Sequence, residues 1–313
     1  MSERVTLVSG GAGGIGIHLV EFLSKHGETV RVLDNFSSHT RGNVAFLEKL
    51  DRVEIVEGDV KDPGAVEGAL RGVDFVWHLA ANPDIRKGTV ETDLDMNEGP
   101  VATRNLLEQM RRQEIRRIAF SSSSVVYGYP KVFPTPEDYG PLLPESLYAA
   151  SKLACEGLIS AFAHTFGMQG WLFRFANVVG PGATHGVIYD FVEKLRKDPT
   201  RLEVLGDGHQ SKGYLWVTDC VQAMVHATKH ASDTVNFFNL APEEQTRVSE
   251  IATLVVKAMG GTARIEYTGG KRGWPGDVPQ QLLATEKIRK LGFQNRYSSR
   301  EAVEMQISAL LKG

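Results

Sequence analysis

Short apolar runs alternate with longer stretches of helical spacing through the first half of the chain. Arg4-Val5-Thr6-Leu7-Val8-Ser9 reads as a buried parallel strand, and Ile15, Leu19, Val20, Phe22 and Leu23 follow with the spacing of a helix. The next strand is Thr29–Leu33, ending on Asp34. Val53–Glu57 and Phe75–Leu79 repeat the strand pattern, the second closed by Ala80-Ala81. A long helix is predicted from about Val90 to Arg111, then a strand at Arg117–Phe120 ending in four serines. Tyr148–Phe166 has helical spacing and Trp171–Phe175 that of a strand. After Asn177 the character changes. Gly180-Pro181-Gly182 breaks the chain, a helix runs from about Val187 to Arg196, and Leu202–Leu205 and Tyr214–Val217 are short strands.

Regular β-α alternation predicts an α/β protein with a doubly wound parallel sheet of Rossmann type, followed by a smaller C-terminal α/β lobe. The expected division is 1–177 and 178–313, with about 213–243 returning to the first domain through a strand at Val235–Asn239. In such sheets ligands bind beyond the carboxyl ends of the strands. Those ends carry Gly10–Gly16, Asp34, Asp59, Ala80-Ala81, Ser121–Ser124 and Asn177.

The glycines are the first chemical signal. Gly11, Gly13 and Gly16 fit G-x-G-x-x-G, and Gly10, Gly13 and Gly16 the wider G-x-x-G-x-x-G. Glycine at these places permits a tight turn, close backbone approach to a pyrophosphate and close helix–strand contact, with the diphosphate on the amides of the helix start. Such a turn can also merely connect two elements. Here it lies between a strand and a helix, and Asp34 follows Gly16 by eighteen residues, where a carboxylate meets a ribose 2′-hydroxyl. Its charge would repel a 2′-phosphate, which favours NAD over NADP.

Tyr148-Ala-Ala-Ser-Lys152 puts a phenol and an ammonium four residues apart on one helix face. A free tyrosine titrates near 10, and lowering it by ~3–4 units needs ~4–5 kcal/mol of preference for the phenolate. The nearby lysine and a cationic nicotinamide are the expected source, which makes Tyr148 a general base. The alternative is an ordinary tyrosine beside a solvated lysine. One hydroxyl among Ser121–Ser124 would bind the substrate oxygen, although serines at strand ends also cap turns. Asp59 suits an adenine amino group or a plain turn. Asn97, a poor helix former inside a helix, has a polar structural role or a cofactor role. His78, in an apolar strand, reads as a satisfied core histidine.

Composition narrows the partners. A net charge of −3 gives no electrostatic footprint for nucleic acid or an anionic membrane. There is no twenty-residue apolar span. The first strand begins at residue 4, which leaves no room for a signal peptide. Cys155 and Cys220 fall in apolar helical patterns, so the expectation is free thiols and a reducing cytoplasm. No Cys/His set has metal-site spacing.

Taken together, GGAGGIG, LDNFSS, GDV, HLAANPDIR, SSSSVVYG, YAASK, RFANVVGPG, HGVIYDFVEKL, GDGHQSKGYLWVTDC and GWPGDVP resemble the extended short-chain dehydrogenases. The resemblance covers nearly the whole chain. It points to the NAD-dependent nucleotide-sugar epimerases and dehydratases, and among them to short UDP-glucose 4-epimerases of archaea and bacteria. It implies Ser123, five before the glycine of VYG, as the catalytic hydroxyl beside Tyr148 and Lys152. NAD contacts would come from Gly10, Gly13, Gly14, Ile15, Gly16, Asp34, Asn35, Phe36, Ser37 and Ser38. Further along they would come from Asp59, Val60, Leu79, Ala80, Ala81, Asn97, Ser121, Ser122, Tyr148, Lys152 and Phe175. Asn177 would meet the substrate diphosphate, Leu205 the nucleobase and Asp277 the nucleotide ribose. Gly186, Val187, Val204, Lys212, Arg272 and Trp274 complete the implied substrate contacts.

Some positions depart from the family pattern. Gly14 stands where an aromatic is usual, Lys212 and Trp274 where arginines are usual, and Pro83 where many epimerases have a lysine. Gln281 takes the place where bulk limits N-acetylated sugars. The implied reaction inverts C4 through a transient 4-keto sugar. Rival readings are a 4,6-dehydratase, a uronate decarboxylase, a uronate 4-epimerase or a non-catalytic NAD sensor. The first two need an acidic group after the catalytic hydroxyl, where this chain has Ser124 and Val125. A sensor would be expected to lose the tyrosine or lysine. The resemblance also implies a homodimer packed through the helices near Val90–Arg111 and Tyr148–Phe166.

Overall fold

The computed structural model describes residues 4–37, 40–82, 84–85, 87–271, 273 and 278–312. Its strands are β1 (Val5–Ser9), β2 (Thr29–Asp34), β3 (Val53–Glu57), β4 (Phe75–His78), β5 (Arg117–Ser123), β6 (Gln169–Phe175) and β7 (Asn177–Val179), then β8 (Arg201–Val204), β9 (Ser211–Lys212), β10 (Tyr214–Trp216), β11 (Val235–Leu240), β12 (Thr246–Arg247), β13 (Arg264–Tyr267) and β14 (Gln280–Gln281). Its α-helices are α1 (Gly16–Lys25), α2 (Val44–Leu47), α3 (Pro63–Ala69), α4 (Leu94–Met96), α5 (Ala102–Arg112) and α6 (Leu147–Phe166), then α7 (Val187–Lys197), α8 (Val217–His230), α9 (Val248–Ala258), α10 (Glu286–Lys290) and α11 (Ser299–Lys312).

A seven-stranded sheet runs in the order β11-β6-β5-β4-β1-β2-β3. Strands β1 to β5 pair in parallel, with β1 between β2 and β4. This is the doubly wound topology the alternation predicts. The strand order reverses beside β1, so the β1–α1 turn lies at the switch point. Leu7, Val8, Val32, Leu33, Phe75 and Val76 are buried, as expected of strands covered on both faces. One core packs α3, α5 and α6 against the sheet through Val66, Leu106, Leu107, Met110, Ile159 and Leu172.

Helix ends follow local chemistry. Asp62 caps α3 by accepting from the Gly64 amide at 2.8 Å, with Pro63 at the first helical position. Ser146 caps α6 by accepting from Ala149 N at 3.1 Å, and left-handed Gly167 closes it.

The helix expected over Val90–Arg111 is not continuous. A short 3₁₀ turn at Lys87–Thr89 and α4 precede a π-helical turn at Asn97–Val101, and only then does α5 begin. Pro100 lies inside the π turn and has no amide proton for the regular ladder, which is a local cause of the widening. Gly99 lies close to α6: a Cβ there would stand 2.7 Å from Ser151 Oγ.

Contacts divide the chain into two units. The first is 1–126, 144–174 and 224–238; the second is 127–143, 175–223 and 239–313. The segment that returns to the first unit is therefore shorter than the expected 213–243. β10 stays in the second unit because it pairs with β7, Tyr214 against Asn177. Residues 127–143 also leave the first unit. Thr135 bridges Leu283, and Asn239 receives the Tyr127 hydroxyl at 2.7 Å while donating to the Thr135 carbonyl at 3.0 Å. The second unit has its own core, with Ile188, Phe191, Val192, Leu202, Val255 and Val303 among its members.

Filling the gap at Gly99 should separate α6 from the π turn. Gly99→Val is expected to lower unfolding free energy by ~1–3 kcal/mol, the usual cost of overpacking, measured by urea denaturation.

Candidate active site

The β1–α1 turn is built from backbone. Gly10 has φ +70°, and a Cβ there would meet Ala80 N at 2.6 Å; one on Gly16 would meet the Gly10 carbonyl oxygen at 2.3 Å. Only glycine allows this closeness. α1 starts at Gly16 behind Ile15, with no side-chain cap, so the helix start keeps amides for an anion. Asp34, at the end of β2, is buried. Its carboxylate accepts from Ala12 N at 3.0 Å and Phe36 N at 2.8 Å, tying the glycine turn to the next strand end. This cradle, which side chains would fill, and the carboxylate beside it suit the diphosphate and ribose of NAD. Gly14 is exposed and Ile15 half-buried at the same turn.

The neighbouring strand ends carry the other expected cofactor residues. Asn35 donates to Asp59 at 3.0 Å, and Ser37 N donates to Asn35 Oδ1 at 3.1 Å. Burial would raise the Asp59 carboxyl, but the Lys61 amide, Asn35 and the Lys61 ammonium outweigh it and hold the group below the usual carboxylate range. Val60 offers its carbonyl to Asn105 at 2.6 Å. Leu79 N donates to the Ser9 carbonyl at 3.0 Å, placing Leu79, Ala80 and Ala81 directly after β4. Asn97 is exposed in the π turn, with Asp93 at 3.4 Å. Ser38 lies outside the described residues.

β5 and α6 form the centre of the site. Lys152 is 3% exposed, and its ammonium donates to the Ser121 carbonyl at 2.7 Å. It also stands 4.8 Å from the Phe120 ring centroid and 5.6 Å from that of Tyr148. Burial pushes Lys152 down to about 8, against the opposing pull of Cys155, Asp95 and Glu156. The expected lowering of Tyr148 is not found in the chain by itself. Desolvation raises its hydroxyl above the usual phenol range, and Asp95 and Cys155 push the same way. The expected lowering counts a cationic nicotinamide as well as Lys152, and the cost of desolvation stands against both.

The four serines separate in the structure. Ser121 donates to the His78 carbonyl at 3.3 Å. Ser122 donates to Glu156 at 2.6 Å, and Glu156 is held by Arg174 at 2.9 Å and 2.7 Å. Its hydroxyl is thus committed to a buried ion pair whose side chains are each 4% exposed. Ser123 ends β5 half-buried, its Oγ accepting from Val125 N at 3.4 Å. Ser124 and Val125 lie in the following 3₁₀ turn and bring no carboxylate. Tyr148, Lys152 and Glu156 follow at four-residue steps along α6. The residue that pattern reading missed here is Glu156, which the same spacing from Lys152 would have found.

His78 is the core histidine expected. Nδ1 is 2.7 Å from Ser9 Oγ and Nε2 is 3.0 Å from Thr103 Oγ1. Burial, with Lys152 nearby, pushes its pKa down to about 3. Cys155 and Cys220 are free and buried. Among the described residues, no group of three or more His, Cys, Asp or Glu could hold a metal ion, and no helix is long and apolar enough to cross a membrane.

In the second unit, Phe175 is buried at the end of β6 and Asn177 opens β7, its amide donating to the Gly213 carbonyl at 3.1 Å. Gly186, with φ +100°, precedes α7, and Val187 begins that helix against the second core. Val204 is fully buried, so its side chain is a packing residue; Leu205, next along, is 44% exposed. Lys212 on β9 pairs with Thr246 and Gln281. Pro83, Arg272, Trp274 and Asp277 lie outside the described residues.

Known proteins are similar to this chain over nearly its whole length. A model of the NAD dependent epimerase/dehydratase family matches residues 6–241. The chain is 31% identical to a UDP-glucose 4-epimerase of Mycolicibacterium smegmatis, over 95% of this chain and 96% of that one. A crystal structure of a UDP-galactose 4-epimerase superposes with TM-score 0.89 at 39% identity, covering 99% of both chains. A UDP-glucuronic acid 4-epimerase from Bacillus cereus, solved with UDP-glucuronic acid and NAD, superposes with TM-score 0.89 at 25% identity, also over 99% of each.

Two outcomes test the site's structure. Arg174→Met strands Glu156 in the interior and is expected to cost ~3–5 kcal/mol in urea unfolding. His78 binds its proton more weakly folded than unfolded, so its contribution is full above the unfolded pKa near 6.5 and is lost as pH falls toward about 3. At ~1.4 kcal/mol per unit, His78→Gln should remove about 4–5 kcal/mol of the pH dependence of stability across that window.

Proposed function

The chain belongs to the NAD-dependent epimerase/dehydratase family, and from that premise we propose that it is a nucleotide-sugar 4-epimerase of the UDP-glucose/UDP-galactose type. NAD is the cofactor of this family. The Gly10–Gly16 turn, Asp34 and the α1 start are the residues to hold it. Bound there, it would supply reversible hydride transfer, so the reaction would need no outside oxidant.

The protein's part is to hold atoms and move one proton. Tyr148 Oη takes the proton of the sugar 4-hydroxyl and later gives it back. Ser123 Oγ, as both donor and acceptor, holds the same oxygen in each state. Lys152 places its positive charge beside the Tyr148 ring and favours the phenolate. The 4-keto sugar turns about its phosphate link between the two proton transfers, which inverts C4. Asn177, Lys212, Leu205 and the 272–277 segment are proposed to hold the nucleoside diphosphate. A homodimer through α5 and α6 and a cytoplasmic location belong to the same reading.

The observation that carries the choice of an epimerase is the pair Ser124 and Val125 after the proposed catalytic hydroxyl. Neither can exchange a proton near neutral pH, as a 4,6-dehydratase or a uronate decarboxylase requires. The glucuronate 4-epimerase likeness keeps a uronate substrate as a second reading.

The test is a panel of UDP-, dTDP-, GDP- and CDP-sugars, including N-acetylated and uronate forms, scored by NMR for inversion at C4. Inversion of UDP-glucose or UDP-galactose supports the proposal. A 4-keto-6-deoxy or decarboxylated product contradicts it. Tyr148→Phe is expected to reduce turnover by about 10²- to 10⁴-fold.

A further inference from the structure

One acidic group in the first unit has no place in the scheme above. Asp95, in α4, is 2% exposed. Its Oδ1 accepts from Asn82 Nδ2 at 2.9 Å, while its Oδ2 has no hydrogen-bond partner among the described residues. It lines a small cavity with Asn82, Thr103, Tyr148, Lys152 and Cys155. A bare carboxylate oxygen in an interior is costly unless a charge answers it.

The charges facing this cavity can be assigned one by one. From α6 come Lys152, Tyr148 and Cys155; burial keeps the Cys155 thiol neutral by raising it. Glu156, one turn past Lys152, has both oxygens taken by Ser122 and Arg174. His78, behind Thr103, is neutral because burial pushes it down to about 3. Among the described residues this leaves one cation at the cavity, Lys152, which donates to a neutral carbonyl, and one carboxylate oxygen without a hydrogen-bond partner.

We propose that Asp95 is a positioning residue of this site, the counter-charge that fixes the buried Lys152 ammonium behind Tyr148. Asn82 holds the carboxylate from one side. Gly88 leaves room on the other: a Cβ there would lie 2.1 Å from Asp95 Oδ2. Asp95 opposes ionisation of Tyr148 while it supports the charge of Lys152, so the phenol stays protonated until a cationic cofactor outweighs the carboxylate. The assignment deepens the epimerase reading and rests on it for the roles of Tyr148 and Lys152.

The test needs neither substrate nor turnover. Lysine ¹³Cε NMR titration of the whole ligand-free chain, with Lys152→Met to identify the resonance, reads the Lys152 midpoint, expected at about 8. Asp95→Asn keeps the shape and can still accept from Asn82, but loses the charge. It should lower the midpoint by about one pH unit, a tenfold weaker hold on the proton. A midpoint that is unchanged or higher overturns the proposal, whatever sugar the enzyme uses. If Asp95→Asn does not fold, Gly88→Ala decides by the same readout. Displacing the carboxylate should lower the midpoint, and an unchanged midpoint overturns the proposal. A merely structural Asp95 would change stability and leave the lysine titration where it was.

Discussion

A lysine ammonium buried against a strand-end carbonyl is the contact on which the site depends. Lys152 donates to Ser121 O at 2.7 Å and so pins α6 to the end of β5. Burying a charge is costly, and here the cost is offset by the carbonyl, the faces of Phe120 and Tyr148, and the carboxylate of Asp95. One turn on, Glu156 locks the same helix to Ser122 and to Arg174 on β6. Two steps of four residues along one helix thus fix the height of a strand end, and with it the place of Ser123 relative to Tyr148.

The cofactor cradle depends on a different constraint, the absence of side chains. Gly10 and Gly16 bring strand end, turn and helix start to contact distance, and Asp34 joins the turn to β2 through Ala12 N. The cradle and the Tyr148–Lys152 face belong to one compact unit, supported by the same sheet. Asn177, Leu205 and Lys212, proposed above to hold the substrate, are carried by the second unit, which has its own core.

Most of the first unit was legible because its signals are periodic. Buried parallel strands are apolar runs, amphipathic helices repeat with their turn, and Tyr148 and Lys152 stand at a helical spacing. What periodicity does not carry was missed. The π turn at Asn97–Val101 replaces a regular helix through a proline and a close helix contact at Gly99, neither of which disturbs the apolar pattern. Four consecutive serines look alike in sequence, and only the buried Glu156–Arg174 pair removes Ser122 from the candidates. Asp95 lies in a polar stretch that reads as surface, and only packing makes it interior. The desolvation that opposes a Tyr148 phenolate in the chain by itself is likewise set by packing, which a sequence does not display.

The claim beneath all of this is that a sugar carbon gives up and regains one hydrogen while Tyr148 handles only the hydroxyl proton. UDP-galactose carrying deuterium at C4, turned over in ordinary water, tests it most directly. The account predicts UDP-glucose with the deuterium still at C4, since that hydrogen never exchanges with solvent. Product with hydrogen from water at C4 would mean that the carbon is deprotonated instead, and would contradict the account.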